Sequence, residues 1–343
     1  MPTFAKERSS QKSLNRRTLI GWGGIRFYLP VDWNMTGFSM ERGGGYLKID
    51  SPGSMFVQVK WFNTRERRRP FTILEMVRTL TEIMKLSRPP EPSAPDLRAM
   101  LDTFLKDTGK QARKAKNSFD SKVKAETIEH RGERTAHHFT WSGAGSGQGK
   151  IWYCAECRRV VIAQVVGRGR DNLADVAASM FGSFTDHADG GWNTWALYDL
   201  ESEVPEGFVL KSQKLMSGYL LLEFERRGER VRIERWGLAN VTRKKFTLAE
   251  WFRHACRVNN QRVKTIDTRF HEHDAVRAVG RIKGLVSWFR AMRDSLPALR
   301  PASQYNGVVW ECGETNKILA VQTWCNRRTE GLLEEVAARC VCH

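Results

Sequence analysis

The strongest constraint on this chain is that it is written twice. "LPVDW" (29–33) lies over "VPEGF" (204–208), and "GYLKI" at Gly45 matches "GYLLL" at Gly218. Each is followed by an alternating segment ending in tryptophan, "MFVQVKW" at Trp61 and "RVRIERW" at Trp236. "FTILE" (71–75) and "FTLAE" (246–250) come next. Later, "WYCAECRRVVIAQ" (152–164) aligns without a gap to "WECGETNKILAVQ" (310–322), and "LADVAAS" (173–179) to "LEEVAAR" (333–339). Blocks that recur in one order over this length imply a single unit built twice. The join falls near "DHADGGWN" (186–193), giving a basic N-terminal tail over 1–17, a first copy over 18–188 and a second over 189–343.

Both copies follow one plan. Period-two alternation, with Val57, Val59 and Trp61 against Phe56, Gln58 and Lys60, predicts half-buried strands. A Thr-x-x-Glu capping box, Thr72 with Glu75 and Thr247 with Glu250, announces a helix by satisfying orphan backbone N–H groups at its start. In the first copy Leu74, Val77, Leu80 and Met84 then form one apolar stripe. More strands and a closing helix follow. The fold class expected is α+β: two tandem α/β sandwich domains, each a mainly antiparallel sheet with flanking helices. The copies differ by insertions. The first carries a Pro-rich and then basic helical segment over 87–122, and the second an apolar and basic one over 285–305.

The "LPVDW" opening, the strand–helix–strand–helix order and "MFGSF" (180–184) at the last helix of the first copy resemble the PsbP-like α/β sandwich family. The second copy lacks the Ser-Phe ending. The resemblance spans most of the chain, once per copy. It implies a non-catalytic accessory or partner-binding module, and it supplies no catalytic residues.

Composition narrows the function classes. A formal charge of +18, shared by both halves, favours anionic partners such as nucleic acid, acidic proteins or a membrane surface. Hydrophobic content of 41% with twelve tryptophans indicates folded material. No apolar stretch approaches the roughly 20 residues that span a bilayer, and no signal-peptide core is present, so a cytoplasmic location is expected. Seven cysteines without paired spacing suit free thiols in a reducing compartment.

"WYCAEC" suggests a zinc half-site or a redox motif, and the duplication answers it in part. Cys154 aligns with Cys312, but Cys157 aligns with Thr315. Cys154 and Cys312 are therefore read as core residues on the face of Trp152 and Trp310, and Cys157 as an exposed turn residue. Redox chemistry is disfavoured, because the pair lies in a hairpin and not at a helix N-terminus. No metal site is expected. The remaining candidates for one are Cys157 with Cys340, Cys342 and His343, across the copies, and Cys340 takes the apolar position of Met180. "HEHD" (271–274) would place His271 and His273 on one face of an extended segment, and the adjacent His137 and His138 would face opposite ways. All four are read as surface or edge-strand residues.

Glycine-rich "GAGSGQG" (143–149) lacks a following Lys-Ser/Thr and helix, so it reads as a hairpin loop and not a phosphate cradle. No catalytic constellation or cofactor motif is found, and the chain is expected not to be an enzyme. The basic clusters carry the function reading. Arg67, Arg68 and Arg69 precede the first capping box and Arg243 and Lys244 the second, as paired anion sites at helix starts or as solvated loops. A second basic run spans 106–124 and includes Lys110, Arg113 and Lys114. Trp288, Phe289 and Arg290 in the second insertion are candidates for docking to a protein or a peripheral membrane surface, or for folding onto their own domain. The leading expectation is a non-enzymatic, macromolecule-binding component of a protein assembly. The first alternative is a nucleic-acid-associated protein using 65–69, 106–124 and 243–245. A metal- or small-molecule-binding protein with a site between the copies is the second.

Overall fold

The computed structural model describes residues 16–41, 43–64, 94–129, 134–169, 171–256, 262–281, 302–326, 329 and 331–343. The chain opens with strands β1 (Arg17–Trp22), β2 (Ile25–Pro30), β3 (Asn34–Glu41), β4 (Gly44–Asp50) and β5 (Phe56–Asn63), then helix α1 (Leu97–Lys114). Strands β6 (Asp120–Val123), β7 (Thr127–Glu129), β8 (Arg134–Ser142), β9 (Ser146–Cys154) and β10 (Arg159–Gly167) lead to helix α2 (Leu173–Gly182). Next come β11 (Trp192–Leu197), β12 (Leu200–Pro205), β13 (Val209–Met216), β14 (Tyr219–Arg226) and β15 (Glu229–Gly237). Helices α3 (Ala239–Thr242) and α4 (Leu248–Ala255) precede β16 (Arg262–Phe270), β17 (His273–Arg281), β18 (Gln304–Cys312) and β19 (Lys317–Cys325), and α5 (Leu332–Ala337) follows.

The strands build an α+β, mainly antiparallel architecture. One large sheet has the order β3-β4-β5-β10-β9-β8-β6, with β7 also beside β8; another has the order β13-β14-β15-β19-β18-β17-β16. Counted from the first strand of each, the two orders are the same apart from β7. A four-stranded sheet, β12-β11-β1-β2, completes the set. There Gly21 lies opposite Ala196, and a Cβ on Gly21 would sit 2.8 Å from the Ala196 nitrogen, so only glycine fits the pairing. The chain divides into two compact units: residues 1–18 with Tyr28–Asp186, and Leu19–Phe27 with His187–His343. Residues Leu19–Phe27 are thus grouped with the second unit, which no sequence pattern announced.

Alternation sets the core. In β5, Val57, Val59 and Trp61 are buried while Lys60 is exposed. The tryptophan match with the second copy is off by one residue, however. Trp61 lies opposite Val161, whose counterpart Leu319 lies opposite Arg235, not Trp236. A one-residue offset changes faces, and Trp236 instead meets Trp251 of α4, with ring centroids 4.7 Å apart.

Helices cover both faces of each large sheet. On one face, α2 packs on β9 and β10 in the first unit, and α5 on β18 and β19 in the second. Phe184, from the "MFGSF" ending, stands edge-on to Trp152 at 4.8 Å. On the other face the covers have different origins. In the second unit it is α4, whose Thr247–Glu250 capping box is fully formed and which buries Trp251 and Phe252 against Val309, Ile318 and Ala320. In the first unit α1, from the insertion, covers the corresponding Ile151, Val160 and Ile162 with Leu97, Leu101 and Leu105. Asp96 caps α1 by accepting from the Ala99 N–H. Burying each leucine stabilises by roughly 1.5–3 kcal/mol, so this insertion is part of the core. Thr72, Glu75 and the stripe from Leu74 to Met84 lie outside the described residues.

Candidate metal centre

Three segments of the second unit bring together His273, Cys312, Cys342 and His343. The first is the β16–β17 hairpin, whose two-residue loop, His271 and Glu272, has φ of +48° and +64°. Two left-handed residues in succession make the tight turn whose twist suits a hairpin. That turn overturns the expectation of two imidazoles on one extended face. His271 Nε2 goes to the Ala337 carbonyl oxygen at 3.3 Å, while His273, beyond the turn, joins the cluster. The second segment is the end of β18, where Cys312 is fully buried before a four-residue loop. The third follows α5. The Val341 N–H donates to the Glu201 carbonyl of β12 at 2.9 Å, fixing the tail that carries Cys342 and His343.

All four donor atoms lie within 4.8 Å of one another. Cys312 Sγ is 3.5 Å from His343 Nδ1, Cys342 Sγ is 3.4 Å from the same nitrogen, and Cys342 Sγ is 3.4 Å from His273 Nε2. Around a tetrahedral zinc ion, with Zn–S of about 2.3 Å and Zn–N of about 2.0–2.1 Å, neighbouring sulfur and nitrogen stand about 3.5–3.6 Å apart. The edges of the cluster match that figure. A Cys2His2 set is also a standard structural zinc donor set.

The surroundings favour the anionic form of Cys312. Burial alone would raise the Cys312 thiol, but the Thr315 hydroxyl and backbone, His343 and Cys342 outweigh it and hold it below its ordinary value. Burial raises Cys342, opposed by the Trp310 indole and reinforced by the charge of Cys312. Trp310 Nε1 and Thr315 Oγ1 are buried and meet no partner at ordinary hydrogen-bond geometry; the acceptors they face are these two sulfurs. His343 is raised by Cys312 and then Glu314, whose Oε2 lies 4.0 Å from His343 Nε2. A carboxylate behind a histidine ligand orients the ring and fixes its tautomer. Two thiolates in contact repel, and a divalent cation between them removes that cost.

Cys340 stays outside the cluster. It is buried, burial pushes its thiol up to about 12, and it packs as an apolar residue in the manner of Met180. Cys157 is half-buried, not exposed as the turn suggested, because its Sγ points inward to the Asp186 carbonyl oxygen at 3.7 Å. A hydrogen bond from Cys157 lowers the Cys154 thiol, and the same hydrogen bond, with burial, raises Cys157. Asp186, fully buried, has donor atoms with theirs in one group. Its Oδ2 accepts from Trp152 Nε1 at 2.6 Å.

The basic candidates are placed as follows. Arg243 Nε donates to Glu311 Oε2, and its Nη1 to the Phe246 carbonyl at 3.4 Å. Glu250 fills the anion position at the start of α4, since its Oε2 accepts from the Thr247 N–H at 2.9 Å. Lys244 is exposed beside them. Lys110 pairs with Asp107 at 3.0 Å, whereas Arg113 and Lys114 are exposed in the last turn of α1. Arg67, Arg68, Arg69, Trp288, Phe289 and Arg290 lie outside the described residues. His137 is buried, 3.6 Å from Glu126 Oε2, on a strand where His138 must face the other way.

Sequence reasoning placed Cys342 and His343 in a different candidate set, with Cys157 and Cys340, and read His273 as a surface residue and Cys312 as core. The four candidate donors stand at 273, 312, 342 and 343, without a local Cys-x-x-Cys or His-x-x-x-His signature, so no motif search would join them. Comparison with protein-family models and with curated proteins gives no match.

Proposed function

We propose that this chain is a non-enzymatic, zinc-binding protein, in which His273, Cys312, Cys342 and His343 hold one zinc(II) ion. The observation that carries the reading is the convergence of four donor atoms within 4.8 Å, with sulfur–nitrogen edges of zinc-site length. Four protein ligands leave no coordination position for water or substrate, which makes the role structural. The ion would tie the β16–β17 turn, the β18–β19 hairpin and the C-terminal residues together. Seven free cysteines fit a reducing compartment, where thiolates remain available to metal. No helix among the described residues is long and apolar enough to cross a membrane.

A tandem pair of α/β sandwich domains, the second braced internally in this way, suits the accessory, partner-binding role that the PsbP-like resemblance implies. A polyanion is the second reading, favoured by one observation: Lys106, Lys110, Arg113, Lys114, Lys116, Lys122 and Lys124 are all exposed on and after α1. Nucleic-acid binding through them requires retention on immobilised DNA that falls steeply with salt.

The zinc reading is tested by elemental analysis of protein purified without chelator. Wild type should carry zinc, and Cys312→Ser or His273→Ala should carry one ion less per chain. Equal zinc content in wild type and both variants would overturn it.

A further inference from the structure

We propose that the first unit carries a second metal centre, of thiolate–carboxylate type, on Cys154, Cys157 and Asp186. The inference goes beyond the Cys2His2 site and stands on a separate set of residues.

Cys154 and Cys312 close equivalent strands, β9 and β18. Cys154 lies opposite Arg159 and Cys312 opposite Lys317, so both hairpins have four-residue loops. Both loops end in a left-handed residue, Arg158 and Asn316, each at φ +52°. Position 157/315 faces the sulfur in both units: Thr315 turns its hydroxyl to Cys312, and Cys157 turns its thiol to Cys154. The first unit thus puts a second donor where the other has a hydroxyl. The indoles correspond as well. Trp152 donates to Asp186 Oδ2 at 2.6 Å, while Trp310 faces Cys342. Asp186 follows α2 and Cys342 follows α5, but not at matching positions: with Cys340 at the place of Met180, Cys342 falls at the place of Gly182.

The donor chemistry is coherent. Cys154, Cys157 and Asp186 have donor atoms within 4.8 Å of one another, Cys154 and Asp186 are buried, and Cys157 is half-buried. A buried carboxylate is one negative charge, each neighbouring thiol that ionises adds another, and that charge must be balanced. Arg159 supplies one positive charge but spends Nη1 on the Asp186 backbone oxygen at 2.9 Å. A divalent ion balances the rest, and paired thiolates select zinc or cadmium over magnesium or calcium.

The test is the metal content of the full chain, reduced, loaded with zinc and desalted, for wild type, Cys154→Ser, Cys157→Thr, Asp186→Asn and Cys312→Ser. Cys157→Thr places in the turn the residue its counterpart already uses, so it keeps the fold; circular dichroism checks all five. The expected counts are two zinc per chain in wild type and one in every variant. Two zinc in wild type with two still in Cys154→Ser and Cys157→Thr would overturn the proposal, as would one zinc in wild type that only Cys312→Ser removes. The second of those results leaves the Cys2His2 site standing. One zinc lost in the Cys154, Cys157 and Asp186 variants but kept in Cys312→Ser would support the first-unit centre and sink the other. Wild type without metal and with a Cys154–Cys157 disulfide in reduced preparations would also overturn it.

Discussion

Among the described residues, the two large sheets share a strand order but differ in the helix that covers one of their faces. Over equivalent residues, Ile151, Val160 and Ile162 in one and Val309, Ile318 and Ala320 in the other, the first unit lays the inserted helix α1 and the second lays α4. The interior adapts around one glycine in each. Gly149 makes room for Phe139, contributed by the sheet itself, and Gly307 for Phe252, contributed by the helix. The two donor clusters diverge in the same manner. Trp, Cys and a cation keep their places, as Trp152, Cys154 and Arg159 or Trp310, Cys312 and Lys317, while the other donors change from Cys157 and Asp186 to Cys342, His343 and His273. One backbone plan therefore holds the positions, and side-chain chemistry varies upon it.

The largest effect that would sharpen this contrast is metal removal. A structural ion present at about 1,000 times its dissociation constant contributes about 4 kcal/mol to folding. At about 2–4 °C per kcal/mol, Cys312→Ser or chelation should lower the melting temperature of zinc-loaded protein by about 8–16 °C in calorimetry. Cys154→Ser should cost less, since its site has fewer soft donors from distant segments. Equal losses would erase the distinction between the two centres.

The glycines come next. A Cβ at Gly149 would lie 2.3 Å from Phe139 Cζ and 2.7 Å from the Ala163 backbone oxygen. At Gly307 the nearest atoms, 2.9 Å away, are the tips of the Phe252 and Tyr305 side chains. Side-chain tips yield more readily than backbone. Overpacking costs about 1–3 kcal/mol, so chemical denaturation should place Gly149→Ala near the top of that range and Gly307→Ala near the bottom. The reverse order would mean that α4, not the sheet, is the stiffer partner.

Much of this plan was legible in the residues. The Val57–Val59–Trp61 alternation, the Thr247–Glu250 box and the helical run after Asp96 each express a local rule, and local rules survive folding. The tryptophan match misled, because Trp61 and Trp236 sit on opposite faces and only pairing register distinguishes them. The role of α1 as a core cover was hidden too, since its charged face dominates its composition while three leucines do the packing. The zinc donors were hidden for a topological reason. Three segments far apart in sequence meet only once β17, β18 and the tail are in place.

Two smaller effects probe the second unit alone. Thr247→Ala removes the side-chain cap of α4 and should cost about 1 kcal/mol, read by urea denaturation; no loss would mean that packing of Trp251 and Phe252 alone sets that helix start. Glu234, which accepts from Tyr219 and Gln322 at 2.6 Å each, is raised above the usual carboxylate range by burial. Its folded form holds the proton more tightly than the unfolded chain. The stability it contributes is therefore present at acid pH and is lost as pH rises from the ordinary carboxylate range through the folded value. Glu234→Gln should flatten that part of the melting-temperature–pH curve, and an unchanged slope would assign the curve to other groups. The first unit has Lys60, exposed, at the equivalent position.

The central claim is the second unit's zinc centre, and X-ray absorption at the zinc edge examines it most directly. In zinc-loaded Cys154→Ser protein, which isolates that centre, the spectrum should give two sulfur ligands at about 2.3 Å and two nitrogens at about 2.0–2.1 Å. A first shell made only of oxygen and nitrogen, without sulfur, would contradict the account.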